Sequence, residues 1–182
     1  MDSIKIMIIE DSPETRNALK DIFEVSFSGG DTPCEVIINT SGEEALEKLN
    51  DGIIPNLIIL DINLPGISGA EVLKRLKSNE KWKKIHVFPY SSLWNEKTEL
   101  PFDMHIKVVK DWYEASEHSL KTGDRTLGQV TPKYQGHEST NVIHPRLIVF
   151  AASVLIQQGV ELSPSFELMV DSARRVLSET KA

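Results

Sequence analysis

The 182-residue sequence predicts an α/β fold built on a parallel sheet with helices on both faces. Two observations carry that reading. Short apolar runs end abruptly at polar residues, as in Leu57-Ile58-Ile59-Leu60-Asp61 followed by Pro65-Gly66. Between the runs lie segments whose apolar residues recur at helical spacing, which is the alternation of a strand-helix-strand fold. A continuous apolar run closed by Pro and Gly reads as a strand buried on both faces.

Ile4 to Ile9 forms the first such run and ends at Glu10-Asp11. Ser12 suits an N-cap, Pro13 the first helical position, and Glu14 the positive end of the helix dipole. The helix that follows is expected to turn Ala18, Leu19, Ile22 and Phe23 inward. Cys34 to Asn39 reads as the second strand, with Cys34 expected to be a buried thiol. Ser41 then opens a helix with Glu44 three residues on, the spacing of a capping box. After the Asp61 strand, Gly69 to Asn79 supplies a third helix, with Val72, Leu73 and Leu76 inward and Lys74, Arg75 and Lys77 outward. The basic run Lys81, Lys83 and Lys84 reads as a solvated edge or, less simply, a docking surface for an acidic partner. Two further strands are expected, Ile85–Tyr90 ending at Ser91-Ser92 and Met104–Val109 ending at Lys110-Asp111.

In an open α/β sheet, chemistry gathers beyond the carboxyl ends of the strands. Taken singly, Asp61 reads as a turn-starting residue, Glu10-Asp11 as a solvated loop pair, Ser91 as a turn residue and Lys110 as a solvated charge. Together they place three acids, a hydroxyl and an ammonium at one edge. Converging carboxylates repel unless a cation lies among them, and oxygen ligands suit a hard divalent ion. Such a set can hold a phosphoryl group on a carboxylate, with metal and lysine neutralising its oxygens and the hydroxyl donating a hydrogen bond.

Over residues 3 to 120 these linked motifs resemble the receiver domain of response regulators, the phosphoacceptor half of two-component signalling. The resemblance implies a flavodoxin-like, doubly wound, five-stranded parallel sheet. It implies Asp61 as phosphoacceptor, with Ser91 and Lys110 contacting the acyl phosphate. It also implies Mg²⁺ held by Glu10, Asp11, Asp61 and the backbone carbonyl of Asn63, with Pro65, Gly66 and Gly69 shaping the turn into the third helix. The expected partner is a sensor histidine kinase or phosphotransfer protein. The expected chemistry is phosphoryl transfer to Asp61 and autodephosphorylation, without turnover of a separate substrate.

Three departures accompany the resemblance. Asp111 stands where the family has a proline after the lysine, so a trans bond is expected there. Lys107 occupies the place of the usual switch aromatic. The stretch between Ser91 and Lys110 leaves room only for a brief fourth helix around Asn95–Pro101, and Asp111–Leu120 is a weakly apolar fifth helix whose aromatics are Trp112 and Tyr113.

The sequence divides into a receiver over 1–120, a Gly- and Pro-punctuated linker over 121–144 and a helical extension over 145–182. The first extension helix is expected to begin at Pro145 and stop at Gly159, apolar nearly all round. The second is expected to run from Pro164 to Glu179, with Phe166, Met169, Val170, Ala173, Val176 and Leu177 on its apolar face. Two helices of this size cannot enclose a core alone. A homodimer through residues 145–180, packing back on the receiver, and a DNA-reading helix pair are the three ways to cover them. Glu161, Glu167 and Asp171 oppose the DNA reading, because they would meet a phosphate-rich groove. A receiver-like scaffold that is never phosphorylated is a further alternative.

Composition points to a cytoplasmic protein with no disulfide framework, since Cys34 is the single cysteine. No apolar stretch is long enough to span a bilayer and no signal peptide is evident. The net charge of −7 arises in the receiver, where residues 1–120 hold 13 Lys/Arg against 21 Asp/Glu. Residues 121–182 hold 7 against 6, so neither half has the basic footprint of a nucleic-acid binder.

Overall fold

The structure is a computed structural model and describes residues 3–90 and 140–179. In chain order the elements are β1 (Ile4–Ile9), α1 (Pro13–Ser26), β2 (Cys34–Asn39), α2 (Gly42–Asn50), β3 (Leu57–Asp61), α3 (Gly69–Ser78), β4 (His86–Tyr90), α4 (Thr140–Gln157) and α5 (Pro164–Glu179). The four strands are all parallel and lie in the order β2-β1-β3-β4. That is a flavodoxin-like sheet, wound outward in both directions from β1 and β3. The expected strand over 104–109 and the helices expected around 95–101 and 111–120 fall outside the described residues, as do Ser91, Lys107, Lys110 and Asp111.

Strand alternation divides the apolar side chains between two cores. On one face Met7, Ile9, Ile58, Leu60 and Val87 pack against α2 and α3 through Leu46, Leu49, Val72, Leu73 and Leu76, with Trp82 closing the end. On the other face Ile6, Ile8, Leu57, Ile59 and Phe88 meet Leu19 and Phe23 of α1. That second core continues without a break into α4 and α5, through Leu147, Val149, Phe150, Val154, Leu155, Phe166 and Val170. Of the three ways to cover the C-terminal helices, the described residues adopt packing against the chain's own sheet. Phe88 and Phe150 meet as tilted rings with centroids 5.3 Å apart, and Phe27 and Phe166 do the same at 5.3 Å.

The hairpin is pinned at both ends. Gly159, at φ 81°, lets α4 close in a Schellman motif, its N–H bonding to Ile156 O (3.0 Å) and the Val160 N–H to Leu155 O (3.0 Å). Just before it, Gln158 exchanges two amide hydrogen bonds with Asn56 in the loop before β3 (2.7 and 3.1 Å). Asn56 in turn accepts from the Lys5 N–H at 2.8 Å, so the end of α4 is tied to the start of the sheet. Ser163 caps α5 by accepting from the Phe166 N–H (3.1 Å) and donates to the Ser26 carbonyl at the end of α1.

Several expectations need correction. The helix expected to begin at Pro145 begins at Thr140, so Pro145 lies inside it at the cost of one helical hydrogen bond. The buried run that follows outweighs that loss. Cys34 is half-buried because β2 is an edge strand, and its thiol is pushed up to about 12, first by burial and then by Glu24 and Glu35. Ala18 is exposed, while Leu19 and Phe23 carry the buried face of α1. Lys77 is not a solvated charge. Its ammonium donates to the carbonyls of Lys83 (3.2 Å) and Ile85 (2.9 Å), closing the turn before β4, and its partial burial lowers its pKa.

Candidate functional site

Local capping chemistry builds the carboxyl edge of the sheet. Ser12 accepts from the Thr15 N–H at 3.3 Å and starts α1 directly behind Glu10 and Asp11. Arg16, one turn into that helix, sends its guanidinium back to the carbonyls of Glu10 (3.0 Å) and Asp11 (2.8 Å). The acidic pair is therefore held from its backbone. On the other side the Glu10 N–H donates to the Asn39 carbonyl at 3.1 Å, and the Asn39 amide donates to Ile8 O at 3.2 Å.

The turn behind Asp61 depends on two glycines. A Cβ at Gly69 would overlap the Asp61 carbonyl oxygen and lie 2.7 Å from Ile62 Cα, so α3 can begin this close to β3 only with glycine there. Gly66 sits at φ 77°, where an added Cβ would come within 2.5 Å of the Glu43 carboxylate. Glu43 accepts from the Ile67 N–H at 2.9 Å, which holds its carboxyl below the ordinary range and fastens the loop to α2. Ser41 caps α2 through the Glu44 N–H (3.2 Å), but Glu44 reaches the Thr40 N–H (2.8 Å), shifting the reciprocal half of the capping box by one residue. Within the loop, the Asn63 N–H donates to Asp61 Oδ1 at 3.1 Å.

These elements bring Glu10, Asp11 and Asp61 together, with carboxylate oxygens all within 4.8 Å of one another. Their exposures differ: Glu10 is buried, Asp61 half-buried and Asp11 exposed. Burial, then the charge of Asp61, pushes Glu10 up to about 7, even though the Ser12 N–H (3.1 Å) and Arg16 favour its charged form. A cation would relieve that stress, and three carboxylate oxygens are the donor set a hard divalent ion takes. Among the described residues this is the one acidic or imidazole cluster with such geometry.

Sequence reading missed Tyr90 as a member of this edge. It is the β4 partner of Asp61 in the sheet register and is 6 % exposed. Burial first, then the charges of Glu10 and Asp61, push its phenol up to about 12. The signal was available in principle, since Tyr90 ends the run next to Ser91, but it read there as one more apolar strand residue.

The family model for the response regulator receiver domain matches residues 6–100, more than half of the chain. Among curated proteins, the polar-differentiation response regulator DivK of Brucella ovis is 38 % identical over 82 residues, covering 45 % of this chain and 61 % of that protein. The nitrate/nitrite response regulator protein NarL of Escherichia coli K12 is 30 % identical over 89 residues, 48 % of this chain and 38 % of that one. The chain thus spans less than two thirds of the length of these relatives. Two solved structures are similar over 88 % of this chain and 99 % of their own, each at a TM-score of 0.52. They are the Mn²⁺-bound response regulator Rcp1, 23 % identical, and the phosphorylated cyanobacterial phytochrome response regulator RcpA, 24 % identical. At that identity the likeness is one of fold. On the family match, this chain belongs to the response regulator receiver domain family.

Proposed function

We propose that this receiver accepts a phosphoryl group on Asp61 in an Mg²⁺-dependent reaction and passes the change on through protein-protein association. The convergence of Glu10, Asp11 and Asp61 carboxylates within 4.8 Å carries the reading, because it joins an accessible nucleophile to two further ion-binding acids. Mg²⁺ would be held by those three carboxylates with the Asn63 carbonyl, where it would neutralise the charge of the incoming phosphoryl oxygens.

The chain's own residues supply position. The half-buried carboxylate of Asp61 ends β3, beyond the sheet and open to a donor. The Asn63 N–H orients Asp61 through its Oδ1. Arg16 fixes the backbone of the Glu10-Asp11 loop so that neither acid drifts from the cluster. In transfer from a histidine kinase or phosphotransfer protein, an Asp61 oxygen forms a bond to phosphorus as the phosphorus–nitrogen bond to the donor imidazole breaks. The imidazole then takes a proton from solvent. Ser91 and Lys110 are assigned to the phosphoryl oxygens by the family pattern. Water reverses the state by hydrolysing the acyl phosphate.

The added charge of about −1.5 to −2 arises at the edge of a core shared with α4 and α5, which makes those helices the natural reporters of the event. DNA reading by α4 and α5 draws no support from the fold, since α4 spends its apolar face on β4 and α5 packs against α4 and α1. Incubation with a small acyl-phosphate donor tests the proposal. Wild type should gain one phosphoryl group only when Mg²⁺ is present, and Asp61→Asn should gain none. Absence of labelling in wild type, from both the small donor and cognate kinases, would sink it.

A further inference from the structure

Tyr90 occupies a place that its burial alone does not explain. Asp61 pairs with Tyr90 across β3 and β4, and Ile9 pairs with Leu60 across β1 and β3. Glu10, Asp61 and Tyr90 therefore form one cross-strand row at the carboxyl edge. It lies directly above the row Ile8, Ile59 and Phe88, whose side chains all enter the core shared with α1 and α4. Side chains two residues apart on a strand share a face. The Tyr90 ring belongs to that same core, so it is oriented by packing from below. Strands neighbour each other at about 4.8 Å, which sets the Tyr90 and Asp61 backbones side by side. The charges of both Glu10 and Asp61 bear on it.

A tyrosine hydroxyl can donate where an ionised carboxylate can only accept, and buried tyrosines make such bonds. From this arrangement we infer that Tyr90 is a positioning residue of the acidic centre, its hydroxyl orienting the Glu10–Asp61 carboxylate pair for the divalent ion. The inference rests on the Mg²⁺ reading above and adds a member to it. An outer donor of this kind fixes the rotation of a ligating carboxylate, and its loss typically weakens ion binding by about 10- to 100-fold. Tyr90→Phe is the sharp probe, because it removes one oxygen and keeps the ring that packs with the core.

The full chain would be titrated calorimetrically with Mg²⁺ alone, for wild type, Tyr90→Phe and Tyr90→Leu, beside thermal melts without the ion. Tyr90→Phe should weaken Mg²⁺ binding by about tenfold while its ion-free melting temperature stays at the wild-type value. Tyr90→Leu should weaken binding to a similar degree and also melt earlier, since it loses the ring. Wild-type affinity in Tyr90→Phe overturns the inference and leaves the metal site standing. So does weakened binding accompanied by an equally lowered ion-free melting temperature, which would mark a packing role. No Mg²⁺ binding by wild type overturns both this inference and the metal site on which it rests.

Discussion

The two faces of the sheet are covered by different kinds of partner. Met7, Ile58, Leu60 and Val87 are covered by α2 and α3, the helices of the β2–β3 and β3–β4 crossovers. Ile8, Ile59 and Phe88 are covered by α1 together with α4, a helix that begins about 50 residues after β4 ends. Local connections therefore complete one face, whereas the other needs a segment distant in sequence beside the local helix α1. A face closed by local crossovers forms with the sheet, whereas contacts between segments distant in sequence carry a larger closure cost, one that grows only slowly with separation.

That contrast fails most visibly if the C-terminal helices are dispensable. Deleting residues 140–182 should remove cooperative unfolding and produce strong binding of a hydrophobic dye. Leu147, Val149, Phe150, Val154, Leu155 and Phe166 are all buried, and at about 1.5–3 kcal/mol each their loss rivals the roughly 5–15 kcal/mol of a whole domain. A sharp, wild-type-like melt of the truncated chain would refute the shared core. Single truncations weigh the faces directly. Phe150→Ala should cost about 3–5 kcal/mol and Leu73→Ala about 2–5 kcal/mol in denaturant melts. A near-neutral Phe150→Ala would mean that α4 merely rests on the sheet.

At the edge where the faces meet, pH sharpens the comparison. The Glu10 carboxyl is raised from its ordinary 4.5 to about 7, first by burial and then by the charge of Asp61. Its contribution to stability is therefore fully present below about 4.5 and is lost as pH rises through about 7. A bound cation favours the charged form and opposes that loss. The gain in melting temperature from a fixed Mg²⁺ concentration should thus grow steadily from pH 4.5 to 7. A gain independent of pH would place the ion elsewhere. The smallest effect is expected at the amide pair, where Gln158→Leu should cost about 1 kcal/mol, because Asn56 is exposed enough for water to replace the lost partner.

Much of this arrangement is legible in the residues. β1, β2 and β3 announce themselves as apolar runs ending in polar residues, and Ser12 and Ser41 each cap the helix that follows. Because the strands are parallel, reading their ends amounted to reading one edge, and Glu10, Asp11 and Asp61 could be grouped before any coordinates. Less legible is whatever depends on tertiary partners. The apolar girth of α4 demanded burial but did not say against what, and Pro145 looked like a helix start because packing that rescues an internal proline leaves no local mark. Tyr90 was hidden for the same reason, since its significance comes from the register of β3 with β4. Lys77 looked solvated because helical spacing says nothing about carbonyls in the turn beyond.

The most direct measurement locates the phosphoryl group. After exposure to Mg²⁺ and an acyl-phosphate donor, borohydride reduction of the acyl phosphate followed by peptide mass spectrometry would mark the carboxylate that was modified. The account predicts a single marked residue, Asp61, in wild type, and no marked peptide when Mg²⁺ is withheld or Asp61 is replaced by Asn. Modification at Glu10 or Asp11, or equal labelling of Asp61→Asn, would contradict it.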